Sequence, residues 1–131
     1  MRRTLTQKLG IKAGYRVWLV NVPDHYFDLL MGLPEDILWV EEPSSEEVDF
    51  IHLFILSEEE LENQFPACKA ALKKTGMLWV SWPKKSSSIR TDLHRDFIRE
   101  YILEGGLVDA KVVAVDQDWS GLKFMYRVTD R

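Results

Sequence analysis

Two near-continuous apolar runs, Tyr15 to Val22 and Val48 to Leu56, most restrict what this chain can fold into. A strand with one wet face alternates apolar and polar residues. A run that is apolar at almost every position suits a strand covered on both faces, as in a parallel sheet sandwiched between helices. Neither run approaches the ~20 residues needed to span a bilayer. Shorter apolar runs at Ile37 to Val40 and Met77 to Trp82 read as further strands.

Helix patterns fill the intervals. Thr4 and Gln7 have capping-box spacing and Gly10 reads as a stop, which predicts a short first helix. Residues 24–31 fit about two helical turns before Gly32 and Pro34. Ser57 and Glu60 repeat the capping signature, with Glu58 and Glu59 at the positive end, and Leu61, Phe65, Cys68 and Leu72 recur at helical spacing. Pro66 is expected to kink or split that helix, and Gly76 to close it. Thr91 or Asp92 is expected to cap a further helix with Leu93, Phe97, Ile98, Tyr101 and Ile102 on one face, ended by Gly105 and Gly106. Two last strands, Val108 to Val115 and Leu122 to Val128, are joined by too few residues for a crossover, so they should form an antiparallel hairpin. Strands alternating with helices predict one α/β domain over residues 1–131, with a mostly parallel six-stranded sheet and right-handed crossovers.

Charge is unevenly spread. Val17 to Cys68 carries 13 Asp and Glu and no Lys or Arg, or −13, while the remainder carries +9, and the two sum to the net −4. Such separation makes a dipolar surface able to guide an anionic ligand or a partner to the basic part; the acids otherwise serve to solvate loops and a helix start. The net charge argues against general nucleic-acid binding, and no membrane span is expected. Arg2 and Arg3 resemble the start of a leader, but Gln7, Lys8 and Gly10 interrupt any apolar stretch behind them. Cys68 is the one cysteine, which excludes an internal disulfide and fits a reducing, cytoplasmic setting.

The element order, ending in a hairpin, resembles the class I S-adenosylmethionine-dependent methyltransferase fold, a three-layer Rossmann-like arrangement. Ile11-Lys-Ala-Gly-Tyr-Arg-Val17, Val48-Asp-Phe-Ile51, Leu72-Lys-Lys-Thr-Gly-Met-Leu78 and the closing hairpin carry that resemblance. The family places a glycine-rich loop after its first strand, because glycine lets the backbone approach the cofactor. Here the same place reads Asn21-Val-Pro-Asp-His-Tyr26. On that departure no cofactor is expected, S-adenosylmethionine included, although Glu41 or Glu42 matches the family's acidic residue after the second strand. The runs Trp79-Val-Ser-Trp-Pro-Lys-Lys-Ser-Ser87, Thr91-Asp-Leu93 and Gly106 to Lys123 are similar to an uncharacterised bacterial family of small Rossmann-like proteins. That resemblance implies a bacterial, cytoplasmic protein and supplies no catalytic residues.

In an open parallel sheet, ligands bind beyond the carboxyl ends of the strands. Three loops should meet there: Asn21 to His25, Pro83 to Ser87, and Asp116 to Ser120. The candidate ligand-binding residues are therefore Asn21, His25, Lys84, Lys85, Ser86, Ser87, Asp116, Trp119 and Ser120. The lysines offer positive charge, and Ser86 to Ser88 offer hydroxyl donors, which suits phosphate or carboxylate; the same loop also reads as ordinary solvated surface. It is not a P-loop, whose glycines are missing. Trp82 and Trp119 also read as packing residues, and Asp116 and Asp118 as shapers of a turn. His25 lies in the right loop for acid–base work, His52 reads as a satisfied core histidine, and His94 as part of a solvated first turn. No Cys–His cluster suggests a metal. The function read from these residues is a non-catalytic small-anion-binding or regulatory domain. The alternatives are an interaction module using the acidic segment, and a divergent transferase built on Lys84, Lys85, Asp116 and His25.

Overall fold

The structure, a computed structural model, describes residues 3–131; the reading of Arg2 lies outside the described residues. Helix α1 (Leu5–Leu9) starts as its spacing predicts. The Thr4 hydroxyl accepts from the Gln7 N–H at 3.2 Å, and Gln7 Oε1 accepts from the Thr4 N–H at 2.9 Å. Strands β1 (Arg16–Val20), β2 (Leu38–Val40), β3 (Val48–Phe54), β4 (Leu72–Pro83), β5 (Leu107–Ala114) and β6 (Trp119–Tyr126) form one six-stranded sheet in the order β2-β1-β3-β4-β6-β5. Pairing is parallel from β2 through β4, while β6 lies antiparallel between β4 and β5. The closing hairpin is thus present, folded back so that its second strand docks on β4. From β1 the chain steps outward to β2 and returns on the other side as β3, so strand order reverses between β1 and β3.

Helices cover both faces, giving three layers. On one face α1 and the short α2 (Tyr26–Leu29) contribute Leu9 and Tyr26 to a core with Phe50, Phe54, Trp79 and Trp119. On the other, α3 (Glu58–Ala71) and α4 (Arg95–Glu104) pack Leu61, Phe65, Cys68, Ile98 and Ile102 against Ile51, Leu53, Leu78 and Val80. Burial pushes the Cys68 thiol up to about 12, as befits a core residue. Strand β3 is closed off on both sides, as its run predicts. Strand β1 departs from that expectation: Arg16 is exposed and Trp18, Leu19 and Val20 are only half-buried. Its outer neighbour is the three-residue edge strand β2, with Leu38 and Trp39 exposed, which covers little of it.

Several boundaries differ from the sequence reading: α2 makes one turn rather than about two, and β6 begins at Trp119 rather than Leu122, so Trp119 and Ser120 lie in the strand. Helix α3 runs unbroken through Pro66; the carbonyl that proline leaves unpaired belongs to Glu62, and both residues are exposed, so water can serve it. The helix ends at Ala71 rather than Gly76, because Leu72 turns extended and pairs with Val48. Gly76 then lies inside β4, where the register against β3 shifts. A Cβ there would sit 2.9 Å from the Val48 carbonyl oxygen and 3.0 Å from that of Asp49, so this is a site of close backbone approach. Finally, neither Thr91 nor Asp92 caps α4. The Thr91 hydroxyl donates to the Leu56 carbonyl at 2.6 Å, and Asp92 accepts from the Glu58 N–H at 3.0 Å, so this stretch docks on the start of α3. His94 becomes the N-cap without a side-chain bond.

Candidate functional site at the carboxyl edge of the sheet

Strand order reverses between β1 and β3, which marks the crevice where an open α/β sheet takes its ligand. The first residue beyond β1 is Asn21, exposed, with φ 58°. That is the left-handed region glycine serves most easily, and asparagine is among the few other residues that enter it readily. The pairing of Trp18 with Val40 sets Glu41 and Glu42, both exposed, beside the end of β1.

The chain leaving Asn21 is braced from two sides. His25 Nε2 lies 2.8 Å from Asp116 Oδ2, joining the loop after β1 to the turn between β5 and β6. The other carboxylate oxygen accepts from the Asp118 and Trp119 N–H groups at 2.8 and 2.9 Å, so Asp116 shapes its turn and holds a histidine at once. Burial alone would raise the Asp116 carboxyl; the His25 bond and the two backbone donors outweigh it and hold the group below its ordinary range. A tautomer carrying its proton on Nε2 gives it to Asp116 and leaves Nδ1 as an acceptor. On the other side, buried Tyr26 sets its hydroxyl 2.8 Å from His52 Nδ1, and His52 Nε2 lies 2.7 Å from Ser81 Oγ. All three side chains are sealed in the core. Burial lowers the His52 pKa to about 3, so the ring is neutral, and burial raises that of the Tyr26 hydroxyl. His52 is the satisfied core histidine that its strand position predicts.

A cleft of about 980 Å³ opens beyond β4, between the loop 84–91 and the first turn of α4. Lys84, Lys85, Arg90 and Arg95 line it, with Asp96 as its one acid, and Trp82 and Leu93 add apolar surface. Of the residues expected to meet at this edge, Lys84, Lys85, Ser87 and Ser120 border the cleft. Asn21, His25 and Asp116 gather instead around the loop after β1. Ser86 is exposed and outside the lining. Trp119 is buried, with its ring centroid 5.0 Å from that of Phe54, so it is placed for packing. The Ser87 hydroxyl donates to Asp118 Oδ1 at 2.9 Å, and the Lys84 N–H donates to the Asp118 carbonyl at 2.8 Å; Asp118 therefore fixes the basic loop. Sequence reasoning missed Arg90 and Arg95, because the late start of α4 is what brings them to the cleft. It also missed the partner of His25, 91 residues away. Among the described residues no cluster of three His, Cys, Asp or Glu side chains is placed to hold a metal ion.

Solved structures similar to this chain share its architecture. A S-adenosylmethionine-dependent methyltransferase from Aquifex aeolicus superposes with a TM-score of 0.61 at 17% identity, covering 92% of this chain and 87% of its own. Fibrillarin from Aeropyrum pernix, with natively bound S-adenosyl-L-methionine, gives 0.62 at 12% identity, covering 92% and 73%. A tRNA methyltransferase from B. subtilis gives 0.61 at 11% identity, covering 97% and 67%. The fold is methyltransferase-like. No family model matches the chain, and no curated protein matches it.

The expectation of no cofactor needs correcting. It rested on the missing glycines, yet a fibrillarin structure that shares this fold holds natively bound S-adenosyl-L-methionine. The loop also begins with Asn21 in the left-handed conformation, at φ 58°, which glycine serves most easily.

Proposed function

We propose that this chain is a divergent transferase domain that binds S-adenosylmethionine across the carboxyl ends of β1 and β3. The observation that carries this reading is the left-handed Asn21 at the reversal of strand order, in a fold shared with methyltransferases. Asn21 and its loop would receive the cofactor, and the carboxylates of Glu41 and Glu42 would accept from ribose hydroxyls. When bound, S-adenosylmethionine supplies a methyl group activated by its sulfonium. His25, oriented by Asp116, would take a proton at Nδ1 from an acceptor substrate. The motif resemblance and the lone buried thiol support a bacterial, cytoplasmic setting for one domain over residues 1–131.

A calorimetric titration of the full chain with S-adenosylmethionine and S-adenosylhomocysteine tests the binding. Saturable binding of either is expected. At a hundred times its dissociation constant the ligand adds about 2.7 kcal/mol to stability, readable as a raised melting temperature. Asn21→Val should weaken it, because a β-branched residue resists φ above zero. No heat and no melting shift with either compound at millimolar concentration would sink the proposal. A second reading, binding without turnover, is favoured by the bracing of the loop through His25 and Tyr26 and by Pro23, which offers no backbone donor. Conversion of S-adenosylmethionine to S-adenosylhomocysteine by the wild type, with the methyl found on an added acceptor, and loss of both in Asp116→Asn, would decide for the transferase.

A further inference from the structure

The lining of the basic cleft beyond β4 includes neither the loop after β1 nor Glu41 and Glu42, the residues proposed to hold the cofactor. Its walls bring Lys84 and Lys85 from one side of the loop, Arg90 from the other, and Arg95 from the first turn of α4. Among the described residues, none of these four has a carboxylate oxygen within salt-bridge distance, and their charge is answered by Asp96 alone in the lining. Asp92 and Asp118, the other acids nearby, are occupied with the Glu58 N–H and the Ser87 hydroxyl. Holding four like charges around one concave surface costs repulsion that an anion relieves. Asp118 fixes the loop from beneath, through the Lys84 N–H and the Ser87 hydroxyl, so the lysines stand on an anchored backbone.

The type of anion follows from what lines the cleft. Paired arginines suit the flat, forked geometry of phosphate oxygens, and lysines add point charge. At about 980 Å³ the space exceeds what a lone phosphate needs, and Trp82, Ile89 and Leu93 supply apolar surface for an uncharged portion. We infer that this cleft binds a phosphate ester of nucleotide size, with the phosphate among Lys84, Lys85, Arg90 and Arg95. This rests on the transferase reading only in its role, since it would then be the acceptor's site; the binding itself needs no cofactor.

The test uses the full chain without S-adenosylmethionine, titrated calorimetrically with adenosine 5′-monophosphate, adenosine, inorganic phosphate and a twelve-nucleotide oligouridylate. The monophosphate should bind and adenosine should not. If the oligonucleotide binds more tightly than the monophosphate, the phosphate ester belongs to a strand; if only the monophosphate binds, it belongs to a free nucleotide. Lys84→Ala with Lys85→Ala should weaken binding about tenfold, two charge-assisted contacts being lost at a half-exposed site. Both backbones stay as they are, because only the main chain of Lys84 is bonded within the protein. Lys8→Ala with Lys12→Ala removes the same charge elsewhere and should leave binding within about twofold. Binding by none of the phosphate probes overturns the inference. So does an equal loss in the two double variants, which would mean that net charge alone attracts the probe. Failure here with intact S-adenosylmethionine binding would remove the substrate class and leave the cofactor site standing, and the reverse result would do the opposite.

Discussion

Replacing His52 by leucine should be far more damaging than replacing Tyr26, His52 and Ser81 together. The ring lies wholly in the core, bonded at 2.8 Å to the Tyr26 hydroxyl and at 2.7 Å to the Ser81 hydroxyl. In His52→Leu both hydroxyls stay buried and lose their partner, and each orphaned group costs about 1–3 kcal/mol, or roughly 2–6 together. Against a total stability of about 5–15 kcal/mol, that brings the chain near its unfolding threshold. In the triple variant, Tyr26→Phe, His52→Leu and Ser81→Ala, no polar group is stranded and the shape is nearly kept. Its loss should stay below about 2 kcal/mol. Urea unfolding reads the difference as a change in midpoint at constant slope. If the triple variant is as unstable as the single one, stranded hydroxyls are not what His52 prevents, and packing of the aromatic cluster around it is the better explanation.

The same histidine should set the acid sensitivity of the fold. Its folded pKa, lowered to about 3, lies below the ordinary 6.5, so between those values the unfolded chain binds the extra proton. Stability is therefore full above pH 6.5 and falls by about 1.4 kcal/mol per unit as pH drops toward 3; the triple variant should lack this component in unfolding curves taken at stepped pH. Asp116→Asn should stay within about 1 kcal/mol of the parent at neutral pH, because the amide oxygen still accepts from the turn and a partly exposed ion pair is weak. Asp116→Ala, which loses the turn bonds as well, should cost about 1–2 kcal/mol in the same denaturation assay. The folded Asp116 carboxyl lies below its ordinary 3.8, so its contribution is present above that value and disappears as pH falls past it, and both variants should lack that acid loss. Gly76→Ala should cost about 1–3 kcal/mol by forcing the added methyl against two carbonyl oxygens of the neighbouring strand, and an unchanged melting temperature would show that β3 and β4 can part there freely.

Much of the architecture is legible in the residues. The apolar runs define the central strands, Thr4 and Ser57 mark helix starts, and the short link after Val115 forces the hairpin. The passage from α3 to β4 is not legible, because Leu72 continues the helical spacing of Leu61, Phe65 and Cys68. Pairing with Val48 overrides that local pattern, and nothing near Leu72 in sequence announces it. The site divides in the same way. Lys84 and Lys85 stand out in a strand-ending loop, and topology alone places them at the ligand edge. Arg90 and Arg95 join them only because Thr91 and Asp92 are drawn away to the start of α3, a long-range choice between two bonding partners. The His25–Asp116 pair and the Tyr26–His52–Ser81 chain link residues whose kinship is spatial, and no spacing rule reaches across such distances.

The division of charge along the chain becomes a division of the folded body. The acidic stretch builds β1 beyond Arg16, β2, β3 and most of α3, while α4 and the strands β4, β6 and β5 belong to the basic remainder, so formal charge shifts from negative to positive across the sheet. In a chromatography column such a molecule does not act as a weak acid with a net charge of −4. Near neutral pH and low salt it should be retained by anion-exchange and cation-exchange resins alike, turning a different side to each. Elution from the cation exchanger should come earlier once Lys84 and Lys85 are replaced by alanine, while retention on the anion exchanger changes little.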